Sequence, residues 1–294
     1  MQVKAHAKLN LALAVGPARD DGMHPIASWM TPISLADELE VTRLEADRFS
    51  RYAILWHEEA LRPTEIGWSI TKDLAVRAHL LLEAEVGCSL PVQLKMEKRT
   101  PVGAGLGGGS ADAAAMMRAV RELYDLDVDD ARMRALAMEL GSDVAFCLGA
   151  GAAVVEGIGE TIAWLPSPDG AVVLVCPDFG CHTGSVYDAF DGIGGGALRA
   201  DDVRAMASAG MIDSASLFND LAAAAETVSP ALREIRDEVS AIAEAPAHVT
   251  GSGSAMFVYC EGGDDHAVLL RDALRGQLED CAVEAVLLGS GAAI

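Results

Sequence analysis

Residues 92–124 change their periodicity twice within a few turns of chain. VQLKME, 92–97, alternates apolar and polar residues as a half-buried strand does. Gly103, Gly105, Gly107, Gly108 and Gly109 then fill five of the seven positions from 103 to 109, and Ala111 to Tyr124 consists of strong helix formers. Glycine loses more conformational freedom on folding than any other residue, so this density needs a reason. A strand that ends in a glycine loop and re-enters as a helix supplies one. The unpaired N–H groups and positive dipole end of the helix point at the loop, and glycine lets phosphate oxygens approach the backbone. A flexible surface loop is the alternative reading of glycine richness by itself. The pattern GxxxxGK[ST] does not fit, because Ser110 follows Gly109 directly. GxGxxG does not fit either, because the loop follows EKRTP and no acidic ribose-binding residue stands at the expected place in a βαβ unit.

The rest of the chain bounds what can use such a site. At 294 residues it exceeds the usual single core, so two domains sharing a cleft are expected. A hydrophobic share of 51% with only 5% aromatic residues predicts a compact fold and argues against disorder. The formal charge of −22 repels polyanions, which excludes nucleic acid and anionic membranes as expected partners. A small phosphorylated ligand remains compatible if it meets a local cationic or amide-lined pocket, and Lys95, Lys98 and Arg99 stand just before the glycines. No apolar run reaches the ~18 residues of a membrane span, and MQVKAHAKLN alternates where a signal peptide would be continuously apolar, so a cytoplasmic protein is expected. Cys88, Cys147, Cys176, Cys181, Cys260 and Cys281 form no CxxC pair and no Cys/His cluster, which predicts reduced thiols and no zinc site. Monomer and homodimer both stay open.

Period two over Val3–Val15 predicts a strand with Lys4, His6, Lys8 and Asn10 on one face, followed by a turn at GPARDDG and strand-like PISLADELEVTRL with a break near Ala36–Asp37. Helices are expected over 73–86 behind Asp73 as N-cap and over Asp129–Leu140 closed by Gly141. PSPDG, 166–170, marks a composition break, which predicts domains at 1–166 and 167–294. AVVLVCPD is expected as a buried strand of the second. LREIRDEVSAIAEA and DDHAVLLRDALRGQL read as helices, and HVTGSGSAMFVYCE reads as a glycine-rich turn into a strand. Helices and strands mixed in this way predict the α+β class.

PVGAGLGGGSADAA resembles the phosphate loop of the GHMP kinases, and the triple glycine before Ser110 is most similar to the branch that phosphorylates 4-diphosphocytidyl-2-C-methyl-D-erythritol. AKLNLAL at 7–13, DGMHPI at 21–26, LGSDVAFCL at 140–148, GIGE at 157–160, FND at 218–220 and TGSGSAMF at 250–257 follow in the family's order. The resemblance implies an N-terminal domain like the second domain of ribosomal protein S5 and a ferredoxin-like C-terminal domain. It also implies a kinase of the non-mevalonate isoprenoid route that uses ATP and Mg²⁺ on a small alcohol. Matched residue by residue, Lys8 and Asp143 are the catalytic pair. Pro101, Gly103, Ala104, Gly105, Leu106, Gly107, Gly108, Gly109 and Ser110 hold ATP. Asn10, Met23, His24, Gly251, Ser252 and Gly253 face the substrate. No metal ligand is implied beyond Ser110, through a Mg²⁺-bound water. Phosphoryl transfer to an alcohol needs a proton acceptor, a nearby cation and donors around the phosphates, which these residue types supply.

Each residue also has a plain structural alternative. Lys8 can be a solvated strand lysine, Asp143 and Ser110 can be helix caps, His24 a loop residue, and Gly251–Gly253 a tight turn. The chain departs from the branch at Met23, where an aromatic stacks on cytosine, and at Ala111, Ser142 and Asp73. Phe179 is near the place of a second stacking aromatic, and Thr183 matches a recurrent Thr. Two other readings are therefore carried: a GHMP kinase for a different alcohol, and a silent GHMP-fold sensor of a nucleotide or metabolite.

Overall fold

A computed structural model of the chain describes residues 1–289. In chain order its first half contains β1 (Gln2–Val15), β2 (Ile26–Arg43), β3 (Arg51–Trp56), α1 (Leu74–Val86), β4 (Val92–Lys98), α2 (Gly108–Tyr124), α3 (Asp130–Leu140) and α4 (Ser142–Cys147). There follow β5 (Ala152–Gly157), β6 (Thr161–Leu165), β7 (Ala171–Pro177), α5 (Thr183–Gly192), α6 (Ala200–Ala209) and α7 (Ala222–Val228). The last described elements are α8 (Pro230–Ala243), β8 (His248–Val249), β9 (Met256–Cys260), α9 (Gly263–Arg275) and β10 (Cys281–Leu287). Two compact units are each assembled from several pieces of chain. One is Met1–Ala7, Leu35–Thr100 and Gly107–Ala150; the other is Lys8–Ser34, Pro101–Leu106 and the described residues from Gly151 on. The composition break at 166–170 lies in the loop between β6 and β7.

In the first unit β4 is the middle strand, antiparallel to the end of β2 and parallel to β3. Its alternation is what the sequence predicts: Val92, Leu94 and Met96 are buried while Gln93 and Lys95 are exposed. The same period also sends Lys98 inward. β2 runs unbroken through Ala36–Asp37, contrary to the expected interruption. Asp37 is tolerated on the core face because the Lys98 ammonium sits 2.5 Å from its Oδ2. Asp73 caps α1 as expected, accepting from the amides of Ala75 at 2.9 Å and Val76 at 3.4 Å. Asp129 caps α3 through the Arg132 amide at 2.7 Å. α2 starts at Gly108, three residues before the helix formers begin, because the Ala111 amide already reaches the Gly107 carbonyl at 2.9 Å. Backbone hydrogen bonding extends the helix into residues whose propensity argues against it.

In the second unit the start of β2 pairs antiparallel with β5, and β5 with β6. A separate antiparallel sheet has the order β10-β7-β9-β8. Every residue of β7 is buried, as the apolar run AVVLVCPD predicts. Val173, Val175, Met256 and Val258 of this sheet share a core with Leu232 and Val239 of α8 and Ala267, Leu270 and Leu274 of α9. The whole is of the expected α+β class. No helix among the described residues is long and apolar enough to cross a membrane.

Candidate active site

Lys8 and Asn10 stand two residues apart on β1, so period two aims them the same way. At this end of the strand the polar face is buried, since each is 3% exposed, whereas Lys4 on the same face is exposed. The Lys8 Nζ donates to Asn10 Oδ1 at 2.6 Å and to the Gly105 carbonyl at 2.9 Å. Asn10 Nδ2 donates in turn to Ser28 Oγ at 2.8 Å, and Ser28 to the Ala12 carbonyl at 2.8 Å. The Asn10 amide donates to Thr250 Oγ1 at 3.0 Å. Asn10 thus spends its oxygen and one amide hydrogen on holding Lys8 and Ser28. Burial this deep selects against a surface lysine, because an ammonium out of water needs fixed partners.

The first half of the glycine loop is tied to the same strand. The Lys8 amide donates to the Leu106 carbonyl at 2.9 Å, and the Ala255 amide to the Ala104 carbonyl at 3.0 Å. Gly105, at φ +79°, packs so closely that a Cβ would lie 2.3 Å from the Thr250 carbonyl oxygen. Gly251, at φ +56°, would place one 3.0 Å from the Gly105 carbonyl and 3.4 Å from Asn10 Oδ1. Only glycine satisfies both the positive φ and the contact. The Gly251–Gly253 turn is further pinned by Asn219, whose Nδ2 donates to the carbonyls of Val249 and Gly251, each at 2.8 Å. Ser252 and Thr183 meet hydroxyl to hydroxyl at 3.0 Å. Lys8, Asn10, Ala104–Leu106 and Gly251–Ser252 therefore form one cluster.

His24 and Met23 belong to a second cluster in this unit. Met23 is half exposed, whereas His24 is buried. The His24 Nδ1 lies 3.0 Å from the Gly16 carbonyl, which accepts only, so Nδ1 carries a proton. Its Nε2 is 3.5 Å from Asp191 Oδ2. The ring lies 4.9 Å from that of Tyr187 and 5.9 Å, edge on, from that of Phe190. Tyr187, and not Met23, brings an aromatic ring to His24. Phe179 packs against the core of this unit, and its carbonyl accepts from Ser254 Oγ.

In the first unit α2 has Gly107 as N-cap and no side-chain cap, so its first amides, those of Gly108, Gly109 and Ser110, donate to no capping side chain. Asp143 is the second residue of α4, whose N-cap is Gly141 with no side-chain cap, so Asp143 is not capping this helix. Arg118 of α2 donates to the Cys147 carbonyl at 2.6 Å and holds the other end of α4. One helix therefore carries the glycine amides at its start and fixes the element bearing Asp143 from its middle.

Lys95, Lys98 and Arg99, which stand just before the glycines, are each paired with carboxylates. Lys95 pairs with Glu97 at 3.0 Å on the outer face of β4, Lys98 is buried between Asp37 and Asp112, and Arg99 pairs with Glu38 at 2.8 Å. In a chain this acidic, each finds a carboxylate first. Sequence reasoning also missed Thr250, Ser28, Tyr187 and Asn219. FND was noted as a motif without a role, and TGSVYDAF carried the aromatic one helical turn beyond Thr183.

The GHMP kinases N terminal domain family matches residues 73–151. The 4-diphosphocytidyl-2-C-methyl-D-erythritol kinase of Desulfitobacterium hafniense (strain Y51) is 35% identical over 263 residues, covering 87% of this chain and 86% of that protein. The chain belongs to the GHMP kinases. The kinase of the same name from Caldicellulosiruptor bescii is 31% identical over 99% of this chain and 100% of its own length. A crystal structure of 4-(cytidine 5'-diphospho)-2C-methyl-D-erythritol kinase aligns with a TM-score of 0.78 at 34% identity, covering 99% of this chain and 100% of that one. GHMP kinases are phosphotransferases, and the matched segment 73–151 spans α1, β4, α2, α3 and α4, the elements that place Gly108–Ser110 and Asp143.

Proposed function

We infer that this chain transfers the γ-phosphoryl group of ATP to the 2-hydroxyl of 4-diphosphocytidyl-2-C-methyl-D-erythritol. The observation that carries the reading is likeness along the whole chain, at 34% identity, to a solved kinase of that name. The substrate hydroxyl oxygen attacks the γ-phosphorus, ADP leaves, and the hydroxyl proton passes to Asp143. Lys8, held by Asn10 and the Gly105 carbonyl, orients the hydroxyl and offsets developing charge. Amides along Gly103–Ser110 receive the β- and γ-phosphates. His24 and Tyr187 take the cytosine, with Met23 at the rim and Asn10, Gly251, Ser252 and Gly253 toward the remainder of the alcohol.

Mg²⁺ fits this donor set as a ligand of ATP. Among the described residues no group of three His, Cys, Asp or Glu side chains could hold a metal, so phosphate oxygens and water would supply most of its six positions. The Ser110 hydroxyl, at the third position of α2, would hold the ion through a Mg²⁺-bound water. Bound there, Mg²⁺ neutralises charge on the triphosphate.

Met23 favours a second reading, a GHMP kinase for a different alcohol, since it offers no ring to a base. An ATP-consumption assay over the cytidylated methylerythritol, homoserine, mevalonate and simple sugars decides between them. Consumption with the first upholds the reading; an inert first compound and turnover of another leaves a GHMP kinase with a different acceptor. Thermal stabilisation by ATP without turnover of any would mark a sensor.

A further inference from the structure

A buried ion cluster beside the glycine helix has no part in the chemistry above. Lys98 ends β4 on the face that Val92, Leu94 and Met96 turn to the core, and the antiparallel register that sets Glu38 opposite Glu97 brings Asp37 opposite Lys98 one step on. Asp112 is on the buried side of α2. The Lys98 Nζ lies 2.5 Å from Asp37 Oδ2 and 2.5 Å from Asp112 Oδ2. Asp37 is saturated, because its Oδ1 also accepts the amides of Arg99 at 2.6 Å and Thr100 at 2.7 Å. Asp112 is not: its Oδ1 is buried without a hydrogen-bond partner. One ammonium serves two carboxylates, and burial pushes the Asp112 carboxyl well above the usual carboxylate range.

Apolar residues of the same shape would stabilise the unit as well or better, so the cluster calls for a reason other than stability. Its position supplies one. Arg99 and Thr100 lead into the glycine loop, and Thr100 fills the space that Gly108 leaves, where a Cβ would lie 2.8 Å from its Cγ2. Asp112 follows Gly108 by four residues, about 6 Å along the helix axis. We propose that Lys98 is a positioning residue for ATP: through Asp37 it fixes the strand entering the glycine loop, through Asp112 it fixes the first turns of α2, and it cancels a negative charge close to the amides that receive phosphate. The proposal rests on the reading of Gly108–Ser110 as a phosphate site.

The test compares wild type, Lys98→Met, Asp112→Asn and the double variant Lys98→Met/Asp112→Asn by calorimetric titration with a non-hydrolysable ATP analogue, steady-state KM for both substrates, and thermal unfolding. Lys98→Met is expected to weaken ATP binding about tenfold while the alcohol KM moves far less, since charge at a helix start acts locally. The double variant is expected to recover only the part of that loss that comes from the uncompensated Asp112 charge, a partial recovery that a packing role would not produce. Asp112→Asn alone is expected to tighten ATP binding, by up to about threefold. A folded Lys98→Met with wild-type ATP affinity, equal loss for both substrates, or no recovery in the double variant overturns the proposal. If Lys98→Met does not fold, Asp112→Asn decides, and weaker ATP binding there overturns it. Failure of the wild type to bind the analogue would instead overturn the phosphate-site reading beneath it.

Discussion

Lys8 donates to the side-chain oxygen of Asn10 at 2.6 Å, two residues along one strand, with both side chains buried. An ammonium taken out of water needs fixed acceptors, and a backbone carbonyl of the glycine loop is another. Asn10→Leu removes a partner from Lys8 and Ser28 together. It is expected to cost about 1–3 kcal/mol of stability and to lower kcat. Denaturant unfolding and steady-state kinetics check both; unchanged kcat would separate Asn10 from the chemistry.

Asp143→Asn keeps the size of the side chain and removes the proton acceptor. Turnover is expected to fall by about 10²–10⁴, while ATP binding, which the proposed function assigns to loop amides, is expected to stay near wild type. Single-turnover kinetics with titration of an ATP analogue test this, and full activity in the variant would remove Asp143 from its role.

Gly105→Ala and Gly103→Ala separate conformation from contact. Both glycines sit at positive φ, +79° and +70°, which costs a side chain about 1–2 kcal/mol. Only Gly105 also faces a backbone oxygen, that of Thr250, whereas Gly103 has open space. Gly105→Ala should therefore lose more stability and more activity than Gly103→Ala, by melting temperature and kcat/KM. Equal losses would mean the Thr250 contact does not constrain the loop.

Tyr187→Ala is expected to raise the KM for the cytidylated alcohol by about 5- to 100-fold, the range of base–aromatic stacking, and to leave the KM for ATP near wild type. Tyr187→Phe keeps the ring and should keep the KM. If Tyr187→Ala binds the alcohol normally, the base lies elsewhere.

Burial lowers the pKa of His248 below its ordinary value near 6.5, with a smaller contribution from the Arg236 charge. A base held neutral by folding binds its proton more readily when unfolded. The stability it contributes is fully present above pH ~6.5 and is lost as pH falls toward the lowered folded value. His248→Phe removes that slope and keeps a ring beside Phe257, whose centroid is 5.5 Å away. Urea midpoints from pH 7.5 down to 5.5 should fall less in the variant; parallel curves would assign the slope to other groups.

Much of the fold was legible because it follows from local rules. Alternation over 92–97 placed β4, Asp73 announced α1 through capping, the helix expected over 129–140 is α3 with Asp129 as its cap, and a continuous apolar run marked β7. The start of α2 and the continuity of β2 were not legible. The first depends on which carbonyl the Ala111 amide meets, and the second on a lysine 61 residues away that makes Asp37 acceptable in a core.

The sequence by itself determined the chemistry on offer: a glycine loop between strand and helix, Lys8 and Asn10 on one strand face, and an acid after Gly-Ser. Their spacing fixes these features without reference to distant chain. Tertiary structure decided which groups are spent on one another. Lys95, Lys98 and Arg99 stand just before the glycines, yet each is neutralised by a carboxylate that folding brings to it, while Tyr187 joins His24 across 163 residues of chain. Charge neutralisation and ring contact depend on separation in space, which a linear pattern does not contain.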